Sequence, residues 1–83
     1  MIIDNKNEIM RAVGAYCRQW REAQGLTQRE LAHDTSFYKE TYSGFENGRN
    51  NNAYILLRYI TLGADVEKIK EIYNNGFTDY FKP

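Results

Sequence analysis

The chain is short of almost everything that would staple, anchor or load it. It has one cysteine, Cys17, so no internal disulfide can form and nothing points to an oxidising compartment. One proline and six glycines leave room for long helices. No apolar run reaches the roughly 18 residues that a membrane-spanning helix needs. The N-terminus, MIIDNKNEIM, lacks the basic start and apolar stretch of a secretory signal, and a cytoplasmic location is the expectation. The single histidine, His33, has no cysteine cluster near it, so no metal site is expected. No clustered histidines, cysteines or paired carboxylates suggest catalysis, so neither enzyme activity nor a cofactor is expected. Repeats, low-complexity blocks and flexible linkers are also missing.

Charge of one sign is lacking as well. The 11 basic residues are balanced by 11 acidic ones, giving a net charge of zero. Nucleic-acid binders are usually basic, so this balance counts against such a partner.

What remains is the pattern of an all-α chain. The length of 83 residues is expected to form one domain, 1–83, with a core over about 9–74. A chain this short buries only about 60% of its unfolded surface, so the core must be small. Apolar residues recur at spacings of three and four. Ile9, Val13, Tyr16, Cys17 and Trp20 form one face of a first helix over about Asp4–Gln24, with Asp4 as N-cap and Gly25 as the left-handed stop. Cys17 on that face reads as a small buried hydrophobe.

A short second helix starts at LTQRELAHD. Thr27 caps it, and Glu30 three residues later completes a capping box. Leu31 and Ala32 face inward, and the helix is expected to end near Thr35. The third helix lies within SFYKETYSGFENG. Tyr42 and Phe45 bury there, Lys39, Glu40, Ser43, Gly44 and Asn47 lie on the opposite, exposed side, and Thr41 is near the boundary. Gly48 ends it, and Arg49–Asn52 is a polar loop. A fourth helix over about Ala53–Leu62 carries Tyr54, Leu56, Leu57, Tyr59 and Ile60, and Gly63 stops it. Asp65 caps a fifth with Val66, Ile69, Ile72 and Tyr73, expected to end at Asn74-Asn75-Gly76. An aromatic tail, 77–83, follows.

LTQRELA, a short turn and a helix closing in FENG resemble the Cro/repressor-type (XRE-like) helix-turn-helix family of bacteria and phages. Its pattern opens L-T-Q-x-x-L-A and closes like I-E-N-G, and Thr27 to Gly48 matches without a gap. The likeness extends from about Val13 to Gly63. It implies a compact five-helix, lambda-repressor-like domain with the motif over 27–48. Thr35 and Ser36 replace the family's usual leucine and glycine in the turn, and Tyr38 replaces its usual serine or threonine cap. The region of the fourth helix is about one residue shorter than the common pattern.

In the proteins it resembles, the third helix lies in the major groove of double-stranded DNA, which places Lys39, Glu40, Thr41, Ser43 and Gly44 at base edges. Lys39 suits guanine O6 and N7, Glu40 the cytosine amino group, and Thr41 a thymine methyl. Gln28, Asn47 and Arg49 match positions that contact phosphate, and the Tyr38 phenol suits the groove edge. Arg21 and Glu46 match a pair that joins the first and third helices, with a direct phosphate contact as the lesser role for Arg21.

Between Leu26 and Asn52, Arg29, Lys39 and Arg49 face Glu30, Asp34, Glu40 and Glu46, a balance of −1. Sparse cationic contacts imply weak binding by one subunit, because affinity rests on neutralised phosphates. The resemblance implies a Cro/repressor-like transcription regulator, repressor or activator, of the compact kind found in phages and mobile elements, and the sparse contacts imply that it binds its operator as a homodimer. The aromatic residues Phe77, Tyr80 and Phe81, with Tyr73, either form the dimer interface or fold back over the core. The zero net charge, Glu40 and Gly44 keep a second reading open: a protein-binding module on the same scaffold, such as an antirepressor or a regulator of another factor.

Overall fold

The computed structural model describes the backbone of residues 5–33 and 35–81 and the side chains of 7–33 and 35–75. Asp4 as a cap, Asp34, and the side chains of Phe77, Tyr80 and Phe81 lie outside those residues. Five helices follow one another: α1 (Asn5–Ala23), α2 (Gln28–Ala32), α3 (Lys39–Glu46), α4 (Ala53–Leu62) and α5 (Val66–Phe81). The described residues contain no strand, and none of their helices is long and apolar enough to cross a membrane.

Local chemistry accounts for the boundaries. The Thr27 hydroxyl accepts from the Glu30 amide at 3.0 Å, and the Glu30 carboxylate accepts from the Thr27 amide at 2.8 Å, so the capping box is formed. Asn52 caps α4 through its side-chain oxygen, which accepts from Tyr54 N and Ile55 N. Asp65 does the same for α5 with Glu67 N and Lys68 N. Gly25 and Gly63 stand at the expected helix stops, with φ of 74° and 120°.

Two boundaries differ from expectation. α2 ends at Ala32 rather than near Thr35, because His33 turns extended at φ −58°, ψ 133°. The Thr35 hydroxyl then closes the turn, donating to Ala32 O at 2.8 Å and accepting from Phe37 N at 3.2 Å. This is how Thr35 holds the turn. At the other end, α5 runs straight through Asn74-Asn75-Gly76 to Phe81. Asparagine and glycine cost a helix only about 0.7–1 kcal/mol each relative to alanine, too little to stop one already capped by Asp65 and packed through Ile69 and Ile72.

α1 packs against both α3 and α5, and α2 packs against α3. The core joins Val13 and Cys17 of α1, Leu31 of α2, Tyr42 and Phe45 of α3, Ile55 and Tyr59 of α4, Ala64, and Ile69 of α5. Tyr59 is its centre. Its ring stacks on Phe45 at 5.8 Å, lies 6.2 Å from Tyr42, and receives Trp20 edge-on at 6.4 Å. Ile55, absent from the apolar set read from the sequence, is fully buried, whereas Tyr54 and Leu57 point outward.

α1 crosses α3 at Gly14, where the backbones touch. A Cβ at this position would press into the carbonyl oxygen of Phe45 and stand 2.8 Å from that of Glu46. The crossing leaves no room for a side chain at Gly14.

Candidate nucleic-acid interface

α3 has two faces with different duties. Its inner face is Tyr42, Phe45 and Glu46, all buried. Glu46 is the unusual member, a carboxylate only 4% exposed. Burying such a charge is unfavourable unless it is paired and hydrogen-bonded. Here four donors meet it. Arg21, reaching from α1, gives Nε to Oε2 at 2.7 Å and Nη2 to Oε1 at 3.1 Å. Gln28 of α2 gives its amide to Oε1 at 3.0 Å. The Tyr59 hydroxyl of α4 donates to Oε2. Arg21 also donates Nη1 to Leu26 O at 2.7 Å, holding the segment that enters α2.

The pKa directions follow from this geometry. Burial alone would raise Glu46, but its bonds from Arg21, Tyr59 and Gln28 hold it below the usual carboxylate range. Its bond to Glu46 holds Arg21 protonated. Burial, then the bond to Glu46, pushes Tyr59 up. Burial, then the Glu46 charge, pushes the Cys17 thiol up to about 12, so it is a neutral core group rather than a nucleophile. No buried side-chain polar atom among the described residues lacks a partner.

The outer face carries the polar residues. Lys39 and Glu40 are exposed in the first turn of α3, with Lys39 Nζ 3.7 Å from Glu40 Oε2. Thr41 and Ser43 are half-buried beside them, and Asn47 and Arg49 are exposed beyond. Tyr38 occupies the N-cap without a side-chain cap bond, and the residue is 79% exposed. The Asn47 amide donates to Ser43 O at 2.8 Å, and Arg49 N donates to Gly44 O at 2.8 Å, which together close the end of α3.

Two of the expected contact residues also serve the fold. Gly44, expected on the open side, is buried. The loop after α3 folds back over it: Asn50 donates to Thr41 O at 3.3 Å, and a Cβ at Gly44 would meet the Asn50 amide at 3.0 Å. Gly44 is therefore the place where the loop rests on the helix. Gln28, expected to reach phosphate, commits its amide to Glu46 and holds α2 against α3.

Several residues that matter here had no such role assigned to them from the sequence. Asn50 and Asn52 fix the loop between α3 and α4, with Asn52 N donating to Asn50 Oδ1 at 3.1 Å. Arg58 of α4 donates Nε to Leu31 O at 3.1 Å, tying α4 to the end of α2. Arg11 and Arg18 of α1 border α3 on either side of Gly14. Arg18 shares a cleft with Thr27, Gln28, Ser43 and Asn47, and Arg11 shares the adjoining one with Arg18 and Asn47. The signal was present, since 11, 14 and 18 lie on one helical face at spacings of three and four.

A family model described as a helix-turn-helix domain matches residues 12–54, just over half the chain. No curated protein and no solved structure matches significantly. The matched span takes in the Gly14 crossing, Arg21 and Glu46, the capped α2, its threonine-closed turn and all of α3. What holds α3 against α1 and what α3 turns outward thus fall inside one recognised unit, and the chain belongs to the helix-turn-helix domain family.

Proposed function

We propose that the chain is a sequence-specific DNA-binding transcription regulator that lays α3 in the major groove and acts as a homodimer. The observation that carries this reading is the division of α3: its inner face is buried and bonded, while Lys39, Glu40, Thr41 and Ser43 are turned away from the core. A helix held from behind and polar in front is what major-groove recognition needs. Lys39 reads guanine, Glu40 accepts from a cytosine amino group, and the Thr41 methyl meets thymine. Tyr38, Asn47 and Arg49 border the helix and serve the phosphates.

Few free cations lie on the motif, and Glu40 opposes phosphate. One subunit therefore binds weakly, and two half-sites about one DNA turn apart supply the rest of the affinity. Dimerisation through α5 is consistent with Tyr73, which is 46% exposed there.

Selection from random duplexes at low and moderate salt, with the mass of the protein measured in solution, tests the proposal. The expected result is a repeated half-site bound by two copies. No enrichment of any sequence, together with capture of a stable protein partner, would sink it and favour the protein-binding module instead.

A further inference from the structure

We infer that DNA is gripped from α1 as well, by Arg11 and Arg18 holding phosphates on the flank of the groove that α3 enters. The inference rests on the DNA-binding reading and adds a source of electrostatic affinity to it. The charge balance of the motif poses the problem: α3 itself has only Lys39, and that ammonium already has Glu40 beside it. The crossing at Gly14 answers it. Because α1 and α3 touch backbone to backbone there, the residues flanking Gly14 on the same face of α1 are carried to the edge of α3. Those residues are Arg11 and Arg18.

Both arginines are exposed and lie beside groups of the proposed interface. Arg11 packs its aliphatic stem on the end of α3, where a Cβ at Gly48 would stand 2.6 Å from its Cγ and 3.0 Å from its Cα. With a φ of 76°, Gly48 is the residue that allows this approach. The stem is thus positioned, and among the described residues no ion pair engages the guanidinium. Arg18 stands over the cleft that holds Ser43 and Asn47. Its partner is Glu22 at 3.3 Å, both side chains more than half exposed. Such a pair is worth little in water and is easily exchanged for a phosphate.

The spacing suits two separate contacts. Seven residues at about 1.5 Å each put the two arginines about 10.5 Å apart along α1. One DNA strand presents a phosphate roughly every 3.4 Å of axial rise, so each guanidinium reaches a different one. Neither touches a base. Their contribution is to affinity and to the angle of docking, and α3 keeps the choice of sequence.

Fluorescence anisotropy tests this with the full chain, a selected duplex and a scrambled one, over a series of NaCl concentrations. Arg11→Gln and Arg18→Gln keep most of each stem. Each should weaken binding to both duplexes by the same factor and lower the slope of log affinity against log salt by about 0.9 per bound subunit. Glu22→Gln frees Arg18 and should strengthen binding to both. Thermal melts should match the parent, since all three side chains are exposed. Unchanged affinity and slope in both arginine variants, while the parent still binds, would overturn the inference and leave the DNA-binding reading standing. A parent that binds no duplex overturns both.

Discussion

Gly14 of α1 lies against the main-chain carbonyl oxygens of Phe45 and Glu46 in α3, with no room between them for a methyl group. The atoms in the way belong to backbone, which cannot rotate aside as a side chain would. In an isolated helix alanine would be favoured over glycine by about 1 kcal/mol. Here the Gly14→Ala variant should be destabilised by about 1–3 kcal/mol, because α1 and α3 must part. Denaturant melts of the two proteins check this, and a more stable variant would show that the helices do not meet as described.

Glu46→Gln should be among the most damaging single changes, because it leaves the Arg21 guanidinium buried without its counter-charge. Breaking such a pair costs about 3–5 kcal/mol, much of the total stability of a small domain, which is about 5–15 kcal/mol. A double variant, Arg21→Met with Glu46→Met, should lose less than the sum of the two singles. Urea midpoints of the four proteins measure the coupling; strict additivity would mean the pair does not interact.

Stability should depend on pH at both extremes. Glu46 is depressed in the folded protein, so its contribution is present above the ordinary value of 4.5 and is lost as pH falls through the folded one. Cys17 and Tyr59 are raised, so theirs is present below their ordinary values of 9.0 and 10.0 and is lost as pH rises beyond them. Melts from about pH 3 to about pH 11 should show a plateau between roughly pH 5 and 9, with a fall on each side. Stability that climbs above pH 9 would contradict the burial of both groups. At neutral pH, Cys17 should react with thiol reagents only as fast as the domain opens.

Asn52→Ala removes the acceptor for Tyr54 N and Ile55 N at the start of α4. The expected cost is about 1 kcal/mol, typical of a lost N-cap. Asn52→Asp should stay near the parent, since it keeps the acceptor, and urea midpoints distinguish the two.

Glu40→Gln should strengthen binding to any duplex and shift base preference at one position, since it removes repulsion from phosphate and changes an acceptor into a mixed donor and acceptor. Discrimination at that base should move by about 1–3 kcal/mol. Repeating the duplex selection with the variant reads both effects. If neither changed, α3 would not be in the groove.

The parts legible in the sequence are those built from neighbours. The capping box joins residues three positions apart, and the spacing of Tyr42 and Phe45 shows which side of α3 is buried. The Arg21–Glu46 pair spans 25 positions and was legible only through the family resemblance. What escaped depends on distant chain. Gly44 is buried because Asn50 returns over it, which no local pattern encodes. Ile55 was missed because α4 is apolar nearly all round, so its period cannot choose a face, and the packing of Tyr59 chooses it instead. The end of α5 was misplaced because asparagine and glycine weaken a helix without obliging it to stop.

The way Glu46 is held has a consequence for how such a protein changes over generations. Its four donors come from three other helices, and together with Tyr42 and Phe45 they fix α3 without help from Lys39 or Glu40. Exposed substitutions away from special features usually change stability by only about 0.5 kcal/mol either way. The outward turn of α3 can therefore be rewritten one residue at a time while the scaffold stays folded. If α3 reads DNA as proposed, a lineage carrying this domain can drift from one binding site to another without passing through an unfolded ancestor, and a library confined to those positions can follow the same route in the laboratory.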